Sequence, residues 1–425
     1  MSTDSMLALS SSIIDGGEFP GQKRVNPVDG AFEEVADGLG VVRSFSHVWA
    51  MATAEGLALF DTSLDAMGSM AVESVKGWNG DAVSTIVYTH GHIDHVGGAG
   101  AFVADAVARG NPAPKVVAHE NVATRFDRYD LTNGYNTAIN RRQFGWEGEF
   151  FSDWVRPDLT FAESHTLDLG GTSVELNHDR GETDDHCWVW VPERKAIFAG
   201  DLFIWFFPNA GNPQKVQRFA ADWAGALRKM IALGPELFLP AHGLPIEGAD
   251  RIAIVLDNAA TALEGLVSDT LEMMNAGARL DDIIHSVRVP DHLLELPYLR
   301  PYYDEPEFVV RNLWRLYGGW YSGNPAELKP PSDASVATEI ATLAGGAMSL
   351  AKRAVAVADS GDLRLACQLV EWASQADPTN GAIHEVRAEV YQRRRADEFS
   401  LMSKGIFGTA AADSTAASAP AEGTD

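Results

Sequence analysis

A chain of 425 residues with 46% hydrophobic and 9% aromatic side chains is long enough for more than one domain and can bury a sizeable core. Its formal charge of −26 would repel a phosphate backbone, which excludes nucleic acid as a partner. Two cysteines, Cys187 and Cys367, leave no room for a disulfide framework or a cysteine-rich zinc motif. In chain order, residues 1–35 are rich in Ser, Gly and Pro and predict an irregular arm. With no basic leader and no apolar stretch of membrane-spanning length, the expectation is a cytoplasmic protein without a membrane span. From about residue 40 the runs GVVRSFSHVWAMAT, GLALFDTS and VSTIVYTH place Val, Ile, Leu and Phe between turn residues and predict strands. Ala and Val at helical spacing follow between Gly97 and Gly110, then strand-like KVVAH, TSVELNH, CWVWVP and KAIFAGD. A helix over FAADWAGALRKMIALG and a strand at ELFLPAH complete an α/β layered domain spanning 36–255. Residues 256–405 have helical periodicity, with Asp377-Pro378 and Asn380-Gly381 breaking one helix pair. Residues 406–425 are an acidic Ala/Ser/Thr-rich tail expected to be disordered.

The densest chemistry lies in THGHIDHVGG, which supplies His90, His92, Asp94 and His95 directly after an apolar strand. Imidazoles and carboxylates are the donors that zinc and similar divalent ions prefer, and four within six residues converge only if the loop folds around an ion. A second cluster, in HDRGETDDHCW, KAIFAGD and FLPAHG, adds Glu182, Asp201 and His242, each near the end of a predicted strand. His178 and His186 flank Glu182, so either could be a ligand with Glu182 in support. His47, His119 and His165 have no motif context and read as surface or core residues. Ile204 to Phe207 form an apolar run past Asp201 that suits either a pocket wall or the core.

The pattern HxHxDH, Gly-Gly, a later Gly-Glu-Thr, Gly-Asp and a final His resembles the metallo-β-lactamase superfamily. Glu182 in place of the usual His is similar to the bacterial alkyl sulfatase family. That family has Glu where Asp201 stands. Its helical dimerisation domain resembles RPYY, NLWRLYGGWYSGNPAEL, LAGGA and GDLRLACQLVEWASQADP in this chain. The resemblance implies an αββα sandwich followed by an all-helical dimerisation domain over 256–405. It further implies two divalent ions, Zn2+ first among them: His90, His92 and Glu182 would hold one, and Asp94, His95 and His242 the other. Asp201 would bridge both, and with Asp94 would serve catalysis by an activated water. Asn209, eight residues after Asp201, and Lys215 would bind the sulfate; Lys215 or Gln214 stands in the neighbourhood of the family's Arg, with Arg218 further on. The substrate implied is a small anionic ester, an alkyl sulfate, and the assembly a homodimer, for which Tyr298, Tyr302, Tyr303, Trp314, Trp320 and Tyr321 would suit an interface. The residues also leave open a phosphoester, lactone or thioester hydrolase, a non-haem iron redox enzyme, and a silent binding protein.

Overall fold

The computed structural model describes residues 5–419. Seven strands form one sheet in chain order: β1 (Phe32–Ala36), β2 (Leu39–Val42), β3 (Val48–Thr53), β4 (Gly56–Phe60), β5 (Val83–Val87), β6 (Lys115–His119) and β7 (Leu159–Phe161). The first four run antiparallel, whereas β4 to β7 are parallel neighbours. The second sheet contains β8 (Ser164–Asp168), β9 (Ser173–His178), β10 (Cys187–Val191), β11 (Ala196–Gly200), β12 (Leu237–Pro240) and β13 (Ile246–Glu247), in the order β13-β12-β11-β10-β9-β8. All its pairs are antiparallel except β11 with β12.

Successive side chains of a strand point to opposite faces, and β3 and β4 are apolar on both. Trp49, Met51, Ala58 and Phe60 join Val174, Leu176, Val189, Val191 and Phe198 in the core between the sheets. The Phe60 and Phe198 rings stack with centroids 3.7 Å apart. The alternate residues Val48, Ala50, Leu57 and Leu59 meet Val72, Phe102 and Phe126 of the helices Asp65–Trp78, Ala99–Ala108 and Asn121–Leu131. Helices Ala220–Ala232 and Ala249–Asn275 add Trp223, Leu227, Leu256 and Leu263 to the core that includes the second sheet. Helices thus enclose two sheets, the αββα sandwich. The parallel pairs bring strand ends together: Phe60 pairs with Val87 and Gly200 with Pro240, so the turns after β4 and β5 adjoin, as do those after β11 and β12. The Gly97-Gly98 pair has a steric cause. A Cβ on Gly98 would lie 2.0 Å from the Thr62 carbonyl oxygen, and one on Gly97 2.6 Å from the Asp65 nitrogen.

Three expectations are corrected. The arm is not irregular over its described residues: helix Met6–Gly16 is capped by the Ser5 hydroxyl, ends at Gly17 in the left-handed region, and buries Met6 and Ile13 in the main core. Its polar serines masked the inward stripe. The boundary expected at 255/256 falls inside helix Ala249–Asn275. Two compact units instead divide the chain, residues 150–320 with the chain up to Gly134, and residues 135–149 with the chain from Tyr321. Burial explains the shift, because Ile283, Tyr298, Leu299, Val309 and Leu313 belong to the same core as the sheets. Tyr302, Tyr303 and Trp314 pack against that core too, while Trp320 is 70% exposed. Finally, the tail expected to be disordered from 406 is helical over Leu401–Ser418. Ser400 caps it, Ala411 and Ser414 are buried, and Arg387 donates to Ala410 O and Ser414 Oγ. An Ala-rich segment has the highest intrinsic helix propensity, and a docking face supplied the rest. Residues 1–4 of the N-terminal reading and 420–425 of the tail lie outside the described residues.

The second unit is helical, with Asp333–Leu343, Ala347–Asp359, Leu363–Ala376, Gly381–Asp397 and Leu401–Ser418. The break read at 377–381 is a capped turn: Asn380 accepts from the Ile383 N–H at the start of the fourth of these helices. Among the described residues no single helix is long and apolar enough to cross a membrane.

Candidate metal centre

Strand ends deliver all seven side chains to one place. His90 and His92 follow β5, Asp94 and His95 sit on the single turn Ile93–Val96, Glu182 lies between β9 and β10, Asp201 follows β11 and His242 follows β12. They form two groups, His90/His92/Glu182/Asp201 and Asp94/His95/His242, and within each group the potential ligand atoms all lie within 4.8 Å of one another. In the first, Glu182 Oε2 is 3.4 Å from His90 Nε2 and 3.3 Å from His92 Nδ1. In the second, Asp94 Oδ2 is 3.6 Å from His95 Nε2 and 3.2 Å from His242 Nε2. Asp201 Oδ1 also faces the second group, at 3.3 Å from His95 Nε2 and 3.5 Å from His242 Nε2.

Neither histidine flanking Glu182 belongs to a group. His186 Nε2 accepts the Asp201 N–H at 3.0 Å, and His178 Nδ1 donates to the His186 carbonyl at 2.9 Å. Gly200 permits the first contact: its φ is 54°, and a Cβ there would lie 2.7 Å from His186 Nε2 and from Thr89.

Several of the ligands are aimed by partners on their far side. Asp61 Oδ2 takes His95 Nδ1–H at 2.7 Å, which leaves Nε2 as the open nitrogen. Asp61 adopts φ 61° and is fixed by Thr89, whose N–H and hydroxyl both donate to it at 2.8 Å. His242 Nδ1–H donates to Phe45 O at 2.7 Å. The turn between His90 and His92 is held by Asp185, which accepts the Gly91 N–H at 3.1 Å and pairs with buried Arg125 at 2.6 Å. Glu182 is gripped at its other oxygen, where Arg218 Nη1 stands 2.8 Å from Oε1 and Asn209 Nδ2 also donates.

The electrostatics suit cations. Burial alone would raise the Glu182 carboxyl, but the Arg218 charge and the nearby His92 hold it well below the carboxylate range. Burial pushes Asp201 up, against the pull of His242 and His95. His95, which burial would depress, is raised well above 6.5 by Asp201, Asp61 and Asp94. His242 is raised by Asp201 and Asp94 in the same way. Glu182 Oε2, Asp201 Oδ1 and His95 Nε2 are buried with no hydrogen-bond partner. Buried polar atoms are almost always satisfied. Three orphans among imidazole and carboxylate donors are what a pair of divalent cations would complete, so the residues fit such ions.

Without cations, the nearby carboxylates favour the protonated forms of His95 and His242. The stability this contributes is complete below about pH 6.5, the unfolded value, and is lost as pH rises through the raised values. Ligation needs the same nitrogens deprotonated. Zinc added to chelator-treated protein at pH 7 should therefore release protons, and zinc affinity should climb with pH. A pH-indicator titration showing no release would contradict this electrostatic picture.

The two residues expected to bind substrate also lie near the centre. Asn209 is buried against Glu182. Lys215 is half-buried and its ammonium is brought down to about 8 by burial and by Arg218, while Glu182 and Asp94 act the other way. Gln214 is half-buried, and Arg218 is committed to Glu182. The run Ile204 to Phe207 is core, with every side chain at most 7% exposed. Asp61, Arg125, Asp185, Arg218 and Tyr303 were not read as site residues. Asp61 had a signal, an Asp closing the apolar run GLALF, and so had Asp185 beside the Glu182 motif; Arg125 and Tyr303 had none. Burial, Glu182 and Asp94 raise the Tyr303 phenol far above its usual range, so it keeps its proton.

The model of the metallo-β-lactamase superfamily matches residues 41–242, and that of alkyl sulfatase dimerisation matches residues 279–416. The chain belongs to the alkyl sulfatase-like family of the metallo-β-lactamase superfamily. Within this family it is 26% identical over 362 residues to a linear primary-alkylsulfatase of Pseudomonas sp., covering 80% of this chain and 68% of that protein. It is 26% identical over 406 residues to an (R)-specific secondary-alkylsulfatase of Pseudomonas sp., covering 88% and 60%. An alkyl/aryl-sulfatase of Saccharomyces cerevisiae is 23% identical over 405 residues, covering 88% and 62%. The chain thus spans about 60% of the length of the last two. The solved structure of a stereoselective inverting sec-alkylsulfatase from Pseudomonas sp. superposes with a TM-score of 0.82 at 23% identity, over 92% of this chain and 66% of that one. That likeness shows a shared fold. The family's metal dependence agrees with the donor set assembled here.

Proposed function

We propose that this protein hydrolyses alkyl sulfate esters to alcohol and sulfate at a dinuclear divalent-metal centre. The observation that carries this reading is Glu182, a carboxylate joined to His90 and His92 in the first ligand group and buttressed by Arg218. His90, His92 and Glu182 would hold one ion, Asp94, His95 and His242 the other, with Asp201 between them. Zinc suits these nitrogen and carboxylate donors best. When bound, such a cation pair lowers the pKa of water and stabilises an anionic leaving group.

The chain's own groups do the rest. Asp94 and Asp201 orient the attacking water as acceptors. Asn209 donates one amide hydrogen to Glu182 and has a second for a sulfate oxygen. Lys215, charged at neutral pH, offsets the sulfate as a point charge. Tyr303, which keeps its proton, is a further donor to the anion. The dimerisation-type region supports a homodimer, which light scattering can test.

The test is turnover of metal-loaded protein on matched alkyl sulfates, phosphate monoesters, lactones and thioesters. Release of sulfate well above the other products is expected. Turnover confined to a carboxylic or phosphoric ester would overturn the sulfatase reading while keeping the metal centre.

A further inference from the structure

The turn between β2 and β3 is pinned at nearly every residue, and one side chain escapes. Ser44, Ser46 and His47 are 0% exposed, whereas Phe45 between them is 42% exposed. Ser44 Oγ bonds Ser63 Oγ at 2.6 Å, and the Ser44 N–H donates to His47 Nδ1 at 3.2 Å. Ser46 Oγ lies 3.2 Å from His95 Nδ1. His47 Nε2–H donates to the Gly243 carbonyl at 2.9 Å, and the His47 N–H to Ala241 O at 2.7 Å. The Phe45 carbonyl accepts from His242 Nδ1 and from Asn26 Nδ2. The Phe45 ring stands edge-on to the His242 imidazole, with centroids 5.5 Å apart at 78°.

Such anchoring removes the entropy that an exposed loop would otherwise lose on gripping a ligand. It spends that rigidity on a large apolar side chain, beside a residue of the second ligand group, where a polar one would be the default. We propose that Phe45 is the specificity-determining residue for the organic half of the substrate: its ring contacts the alkyl group of an ester whose charged half lies at the metal centre. This rests on the ester-hydrolase reading above and deepens it, because it assigns recognition of the apolar half to one side chain. The carbonyl that holds His242 is backbone, so the ring can be removed without touching that bond.

The experiment measures binding, by calorimetry, of inorganic sulfate and of non-hydrolysable alkyl sulfonates of increasing chain length to metal-loaded wild type, Phe45→Ala and Phe45→Leu. In the wild type, affinity should rise with chain length. In Phe45→Ala it should rise much less, with roughly a tenfold loss for the longest chain. Sulfate affinity and metal content should stay put, and Phe45→Leu should recover most of the gain. A chain-length increment intact in Phe45→Ala would overturn the role of Phe45 alone. A loss equal for sulfate and every sulfonate would show a structural effect and overturn it equally. Wild type that bound neither sulfate nor any sulfonate would remove the ester reading and this proposal together.

Discussion

Asp201→Ala is expected to lower turnover by on the order of a thousandfold, the scale seen when a group that stabilises the transition-state charge is removed. The reason is position. Asp201 Oδ1 faces His95 Nε2 at 3.3 Å and His242 Nε2 at 3.5 Å, and the same residue belongs to the group containing His90, His92 and Glu182. Among the described residues it is the one carboxylate that faces both groups. Folding should survive the change, because in the metal-free protein burial and the Glu182 charge already disfavour the Asp201 carboxylate. The Asp201 N–H that donates to His186 is backbone and remains. Metal analysis of Asp201→Ala should show less than two bound equivalents with an unchanged circular dichroism spectrum. Asp201→Glu keeps a carboxylate on a longer stem and should keep measurable turnover. Wild-type kinetics in Asp201→Ala would remove the bridging role.

Arg218→Met should be costly in a different way. Arg218 and Glu182 are 2% and 3% exposed at the side chain, and their ion pair is 2.8 Å long. Taking one partner from a buried pair leaves an uncompensated charge and costs about 3–5 kcal/mol. Glu182, held well below 4.5, contributes stability that is present above that pH and lost as pH falls through its depressed value. Without Arg218 that contribution shrinks, so the variant should unfold at lower urea and depend less on acid pH. Metal affinity should drop about 10- to 100-fold, as is usual when a partner of a ligand is lost. Arg218→Lys restores charge but not the rigid planar guanidinium whose Nη1 reaches both Glu182 Oε1 and its carbonyl, so it should recover only part. Urea titration and equilibrium dialysis with zinc check both effects. Unchanged values for Arg218→Met would mean that Glu182 does not depend on this pair.

Much of the site was legible because its residues are local in sequence or end a strand. THGHIDHVGG announces itself by density, and the apolar runs before Asp201 and His242 mark the strand ends that present them. The supporting residues were harder to read, since their partners are distant: Asp61 reaches His95 across 34 residues and Arg125 reaches Asp185 across 60. No periodicity records such contacts. The same limit explains the fold errors. Polar serines hid the buried face of Met6–Gly16, an Ala-rich composition hid the helix Leu401–Ser418, and the helices up to residue 320 look no different in sequence from those beyond it. Only their burial assigns them to the sandwich.

The central claim is a pair of cooperating cations held by seven side chains. Chelator-treated protein, titrated with zinc while bound metal and sulfate release from an alkyl sulfate are followed together, tests it most directly. The account predicts tight binding up to two equivalents per chain, with turnover appearing mainly as the second is filled. Full turnover at one equivalent or none, with no further tight binding, would contradict it.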